Sequence, residues 1–241
     1  SQLVRKLSGR GGMAVVELPV DAVTARLESF DGALSVAVVN TATSTVVSGD
    51  NEALDSLLTS LEAENVYAKR VNVDYASHSV HVDSIVPELL AELDGIEPKA
   101  TDVPFYSTVT GQRMDGPSLD ADYWCRNLRE PVRLDHALEA LKEAGAGTFI
   151  EVSAHPVLAM PLTTACSETH GVVVGSLRRD EGGFDQIQRQ VGALHAQGVP
   201  VRWEQLLEGI SGALALLPTY AFQHQRFWED PPAAIAHVTS A

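Results

Sequence analysis

The sequence predicts an α/β protein with an α+β segment built into it, and three observations carry that prediction. Between Met13 and Val73, apolar runs alternate in the order strand, helix, strand, strand, helix, strand. From Asp74 to about residue 177, strand-like and helix-like runs alternate again, the signature of a layered α/β unit. From Arg178 onward one amphipathic run is followed by a stretch rich in proline and aromatics with little periodicity.

The first segment reads element by element. Met13 to Leu18 (MAVVEL) forms a strand, and Pro19 opens a helix with Val20, Val23, Leu27 and Phe30 at helical spacing. Asp31-Gly32 stops that helix. Ser35 to Val39 and Ser44 to Ser48 are β-branched runs joined by a short polar connection, a hairpin signal. Asp50 or Asn51 is placed to cap the next helix, whose Leu54, Leu57, Leu58 and Leu61 form one stripe. Tyr67 to Val73 closes the series as a strand. The resulting βαββαβ order predicts a ferredoxin-like subdomain over 11–74.

In the second segment, over 75–177, Val82, Ile85, Val86, Leu89 and Leu90 mark a helix that Pro87 either kinks or starts. Val103 to Gly111 reads as a strand ending in a turn. Leu134 to Leu141 reads as a helix ended by Gly145 and Gly147, and Thr148 to Val152 as a buried strand. Val172 to Ser176 is one more strand. These strands are too few for a complete sheet, so the missing ones are expected upstream of Ser1. Residues 1–10 read as the end of a helix. Over 178–241, Phe184, Ile187, Val191 and Leu194 make a linker helix, and the aromatic-rich tail suits lying across another surface.

Composition excludes several classes. Lys and Arg total 17 against 32 Asp and Glu, a net charge of −15 that repels nucleic-acid backbones. No run approaches the ~18 consecutive apolar residues of a membrane helix, and the N-terminus lacks a signal-peptide core. The two cysteines, Cys125 and Cys166, show no metal-ligand spacing and suit a reducing, cytoplasmic setting.

His78 is the leading candidate for chemistry. It lies between a strand and a helix, at the join of two segments, where clefts form and a neutral imidazole serves as a general base. The alternative is a surface or capping histidine. His81, three residues on, mimics half of a metal pair, but no third ligand stands at a sensible spacing, so it reads as a solvated helix face. His155, before Pro156, reads as shaping a turn. His136, His170, His195, His224 and His237 belong to no constellation.

Several blocks then share one resemblance. Tyr75-Ala76-Ser77-His78-Ser79 resembles the histidine motif of acyltransferase domains in type I modular polyketide synthases. Gly11-Gly12-Met13, Pro104 to Gly111, Tyr123 to Val132 (YWCRNLREPV), Phe149 to Leu158 and Leu217 to Trp228 resemble further blocks of that family, in its order. The resemblance covers essentially the whole chain. It implies the C-terminal part of an α/β-hydrolase-like large subdomain with the ferredoxin-like subdomain inside it, followed by the linker after the domain.

The resemblance also implies ping-pong acyl transfer through a serine acyl-enzyme, with His78 as the catalytic histidine and the backbone carbonyl of Asn127 orienting its ring. From its residue type alone, Asn127 reads equally as a loop residue satisfying its own turn. No permanently bound cofactor is implied. An acyl-CoA is the donor and the phosphopantetheine of an acyl carrier protein the acceptor, with the ketosynthase and its linker as neighbours. The Tyr75/Ser77 version of the motif implies methylmalonyl-CoA over malonyl-CoA, since Ser77 leaves room for an α-methyl; Tyr75 reads equally as packing at a subdomain seam. One methyl is worth about 1–3 kcal/mol, so the motif biases the choice without dictating it.

One departure stands out. No G-x-S-x-G elbow occurs in these 241 residues; Gly209-Ile210-Ser211-Gly212 lacks the spacing. The chain alone is therefore expected to be inactive. A non-catalytic segment contacting ketosynthase and carrier protein is the competing function. A displaced-nucleophile hydrolase is disfavoured, because no serine stands in an elbow context.

Overall fold

The computed structural model describes residues 2–167, 171–209 and 218–223. His170, His224, Phe227, Trp228 and His237, and most of the expected tail, lie outside the described residues. The chain divides into two units, 1–201 and 202–241.

The βαββαβ order forms as expected. Gly11–Val16 (β1), Val20–Leu27 (α1), Leu34–Thr41 (β2), Ser44–Asp50 (β3), Asn51–Ala63 (α2) and Ala68–Arg70 (β4) follow in sequence. The strands lie in the order β4-β1-β3-β2, all antiparallel neighbours. One face packs on the helices: Ala14, Val16, Leu34 and Val47 meet Val23, Leu27, Leu54, Leu57 and Leu61, all buried. This matches period 2 on the strands to period 3.6 on the helices. Strand β4 is shorter than the predicted Tyr67 to Val73, and as an edge strand its brevity limits unwanted pairing.

Helix α2 departs from its expected capping. Asp50 is the N-cap residue, yet its side chain makes no capping hydrogen bond. Such a bond is ordinarily worth about 1 kcal/mol. The carboxylate instead accepts from His81 Nε2 at 2.6 Å.

After β4 the chain runs through a 3-10 helix, Val80–Ile85, into Val86–Glu92 (α3). Pro87 thus marks the true start of the α-helix. Phe105–Ser107 (β5) and Gln112–Met114 (β6) form a hairpin. Ala121–Arg129 (α4) starts at Asp120, whose carboxylate caps the Tyr123 N–H at 2.9 Å. Val132–Arg133 (β7) then adds to β2 in parallel, making the sheet five-stranded. Leu134–Glu143 (α5) follows.

Thr148–Glu151 (β8), Ala159–Cys166 (α6) and Val172–Gly175 (β9) come next, with β8 and β9 a parallel pair. The expected buried strand is corrected here: Ile150 is 53% exposed and Val152, just beyond β8, is 87% exposed. Only β9 pairs with β8 among the described residues. Glu151 organises the turn after β8, accepting from the Val157 and Leu158 N–H groups at 2.8 and 2.9 Å. Phe184–Ala196 (α7) belongs to the first unit, although Phe184 and Ile187 of its predicted stripe are exposed.

Residues 2–10 pack with the later part of the chain. Leu7 is buried against Val82 and Ile85, with Tyr75, Val86 and Leu128 around them. The sandwich is therefore an insertion between two stretches that meet in space. In the second unit, Trp203–Leu206 (α8) is short, and Tyr220 and Phe222 are exposed and stack edge-on at 4.9 Å. No helix among the described residues is long and apolar enough to cross a membrane.

Candidate active site

His78 sits in the turn between β4 and the 3-10 helix with φ of 57°, the left-handed region. Such a backbone costs on the order of 1–3 kcal/mol for a non-glycine residue and persists only where neighbours hold it. Three bonds do so. The His78 N–H donates to the Leu128 carbonyl at 3.0 Å. Ser79 Oγ donates to the Ala76 carbonyl at 2.8 Å, closing the turn. His78 Nδ1 lies 2.8 Å from the carbonyl oxygen of Glu130.

That last contact fixes the ring's chemistry. A carbonyl only accepts, so Nδ1 carries the proton and Nε2 keeps its lone pair. Burial lowers the His78 pKa from its ordinary value, and the hydrogen bond that Nδ1–H donates to the Glu130 carbonyl opposes this less strongly. The imidazole is thus held neutral, with its basic nitrogen on the far side of the ring.

The acceptor is corrected from the sequence expectation: it is Glu130, three residues beyond Asn127. Asn127 lies inside the last turn of α4, where carbonyls point along the helix axis. Glu130 precedes Pro131, which disfavours the helical region. It is extended at φ −84° and ψ 160°, so its carbonyl turns out of the helix while its N–H still reaches the Arg126 carbonyl at 2.7 Å. The sequence signal for this was the dipeptide Glu130-Pro131.

The sheet face away from α1 and α2 seats the turn. Met13 and Ser48 are register partners on that face. Ser77 Oγ lies 3.4 Å from Met13 Sδ, and both Ala76 and Ser77 are buried. Gly11 leaves the necessary room: a Cβ there would meet the Gly49 carbonyl oxygen at 2.5 Å and Ala76 Cβ at 2.9 Å. Strand β7, two residues past Glu130, pairs with β2 of the same sheet. Both partners of the His78–Glu130 contact are therefore referenced to one sheet.

The four residues singled out from sequence do not all converge. Ser77 and His78 share the turn. Tyr75 packs in the apolar seam with Leu7, Val82 and Ile85. Asn127 is near in sequence to the acceptor but does not supply it. His81 is not a solvated face; its side chain is 14% exposed and bound to Asp50. His155 Nδ1 accepts from the Arg179 N–H at 3.3 Å, consistent with its turn-shaping role. The arginines grouped in sequence are each neutralised locally, Arg126 by Glu130, Arg129 by Asp83 and Arg133 by Asp135. A separate hollow of about 400 Å³ is lined by Thr41, His136, Leu138, Lys142 and Thr164, and includes none of the four. Cys125 and Cys166 are buried, and burial pushes both thiols up in pKa.

Comparison with known proteins gives these features a family. The acyl transferase domain profile matches residues 1–201. Polyketide synthase GfsB of Streptomyces halstedii is 47% identical over 235 residues, covering 96% of this chain and 4% of that protein. Erythronolide synthase EryA2 of Saccharopolyspora erythraea is 45% identical over 240 residues, covering 98% of this chain and 7% of that protein. Among solved structures, the acyltransferase domain from module 8 of the salinomycin polyketide synthase superposes with a TM-score of 0.81 at 43% identity, over 84% of this chain and 48% of that one. The loading acyltransferase of the avermectin synthase gives 0.76 at 35% identity, over 80% and 62%. The chain thus spans about half of a solved acyltransferase domain and a small part of the synthases it matches. A neutral, carbonyl-oriented histidine on a sheet-seated turn, within a sequence that matches in this way, makes the chain a member of the acyl transferase domain family, of the kind carried by type I modular polyketide synthases.

Proposed function

We propose that this chain supplies the histidine side of an S-acyl transfer site. The reaction moves an α-substituted malonyl unit from CoA to the phosphopantetheine thiol of an acyl carrier protein through a serine ester. The observation that carries this reading is the His78 Nδ1–Glu130 carbonyl contact at 2.8 Å, which leaves Nε2 as the proton acceptor.

The roles follow from that tautomer. Nε2 takes the serine hydroxyl proton as the oxygen attacks the thioester carbonyl, and returns it to the departing CoA thiolate. In the second half the carrier thiol gives its proton to Nε2 and attacks the ester, and the serine leaves as the alcohol. The Glu130 carbonyl stabilises the imidazolium that forms in each half. The serine is not among these 241 residues in an elbow context, so the chain by itself forms no acyl-enzyme.

Incubation of the chain with methylmalonyl-CoA, followed by intact-mass measurement, is expected to show no adduct; a stable adduct would overturn the reading. In an intact acyltransferase domain that contains this segment, His78→Ala is expected to reduce transfer by a factor of about 10³ or more. Retention of full activity would sink the role of His78.

Substrate preference rests on Ser77, small and buried beside Met13. We read methylmalonyl over malonyl, with Tyr75 shaping the wall from behind. Tyr75→His with Ser77→Phe in the intact domain should move the preference toward malonyl by about 1–3 kcal/mol, roughly five- to 150-fold. An unchanged preference would remove the pocket account and leave Tyr75 a packing residue.

The docking alternative draws on the exposed Tyr220 and Phe222, which suit contact with a neighbouring domain of a synthase. It competes with the enzymatic reading, because a chain that only contacts ketosynthase and carrier protein through the small subdomain and linker needs no base at His78.

A further inference from the structure

Asp50 and His81 form a bond that neither the fold nor the proposed chemistry of His78 has yet explained. Asp50 occupies the N-cap of α2 but gives that helix no side-chain cap. Its Oδ1 instead accepts from His81 Nε2 at 2.6 Å. His81 is the second residue of the 3-10 helix that begins directly after the His78 turn. Its backbone N–H donates to Ser79 Oγ at 3.2 Å, and Ser79 Oγ in turn donates to the Ala76 carbonyl.

A continuous chain of hydrogen bonds therefore runs from Asp50 through His81 and Ser79 to the turn whose apex is His78. The route is buried at its inner end and open to solvent at Asp50, whose side chain is 53% exposed. Ser79 is buried, Ala76 is buried, and His81 Cε1 stands 3.0 Å from where a Cβ on Gly11 would be, with Gly11 the register partner of Asp50. Arg10, Leu7, Val80 and Ser84 complete the surroundings. The left-handed backbone of His78 needs constraint from both sides of the turn. Leu128 in α4 and Glu130 just beyond it supply it from one side; the Asp50–His81 pair supplies it from the sandwich.

We propose that His81, held by Asp50, is a positioning residue. It anchors the exit of the turn to the small-subdomain sheet and thereby keeps the His78 ring in register with the Glu130 carbonyl. This rests on the reading of His78 as the base, but the predicted effect is on its ring state, which is measured without turnover.

The test uses the full chain labelled with 15N. Two-bond nitrogen–proton correlations read the tautomer ratio of His78. The unaltered chain should show His78 predominantly as the Nδ1–H form. His81→Ala should lower that ratio about fivefold, the worth of one ordinary hydrogen bond. His81→Gln, whose amide N–H still reaches Asp50, should restore most of it. Asp50→Ala should match His81→Ala, and the double variant should add little to either, as expected for one shared contact.

A His78 ratio unchanged in His81→Ala, in a chain that keeps its native spectrum, overturns the proposal. So does a Gln variant no better than Ala. If His81→Ala fails to fold, Asp50→Ala, which removes the acceptor at an exposed position, is read in its place, and an unaltered ratio there overturns it equally. Loss of the tautomer ratio in these variants, together with full activity of His78→Ala in an intact domain, would keep the positioning role and discard the catalytic one.

Discussion

The inserted sandwich and the β8–β9 layer use similar apolar residues in opposite ways. In the sandwich, Leu54, Leu57 and Leu61 are no more than 2% exposed. Around β8, Ile150 is 53%, Val152 87% and Met160 80% exposed. The sandwich closes its helix-facing side on itself and offers the other side to the Tyr75–Ser79 turn. The β8–β9 layer is two parallel strands, a size rarely stable unless packed on something larger. The difference teaches where the candidate site gets its precision. His78 is located by the region whose core is complete, and exposed apolar side chains in the other region are the kind that mark contact surfaces.

The largest effect that tests this contrast comes from the sandwich core. Leu61→Ala should cost about 2–5 kcal/mol and lower the thermal midpoint of the chain clearly, while Ile150→Ala should stay within about 0.5 kcal/mol. Thermal or urea unfolding of both variants reads this. Equal losses would mean that β8 is as well packed as the sandwich.

Gly11→Ala comes next. Its new Cβ would press on the Gly49 carbonyl and on Ala76, costing about 1–3 kcal/mol as an overpacked site. Because Ala76 belongs to the His78 turn, the His78 ring signals should move as well. A destabilised variant with unshifted His78 signals would separate the sheet from the site.

The smallest effect is in pH. The His78 pKa is lowered below its ordinary 6.5, chiefly by burial. The folded chain therefore resists protonation that the unfolded chain accepts. The contribution of this group is fully present above pH 6.5 and is lost as pH falls from there toward the folded pKa. His78→Gln should flatten that part of the curve of urea midpoint against pH. An identical slope would contradict the burial assigned to the ring.

Much of this was legible in the sequence because two periodicities decide it. The stripe Leu54-Leu57-Leu61 and the alternation in β1 and β3 mark that helix and those strands by period alone. The motif around His78 marked the turn. What stayed hidden depended on geometry that periodicity does not encode. Asn127 looked like the orienting residue by its place in a matching block, but the direction of a carbonyl is set by the proline that follows Glu130. Asp50 looked like a helix cap because capping is a local rule, and it was diverted by His81, 31 residues away. The exposure of Ile150 escaped because an apolar run is read the same whether or not something covers it.

The orienting acceptor of His78 is a main-chain atom, and this has a consequence for how the site tolerates change. Every amino acid carries the same carbonyl, so the side chain at position 130 can drift while the tautomer of His78 persists. The heritable information for that contact resides one position later, in the ring of Pro131, which shapes the backbone of Glu130. A survey of variants should find position 130 permissive and position 131 intolerant, the reverse of what a contact map of side chains would suggest.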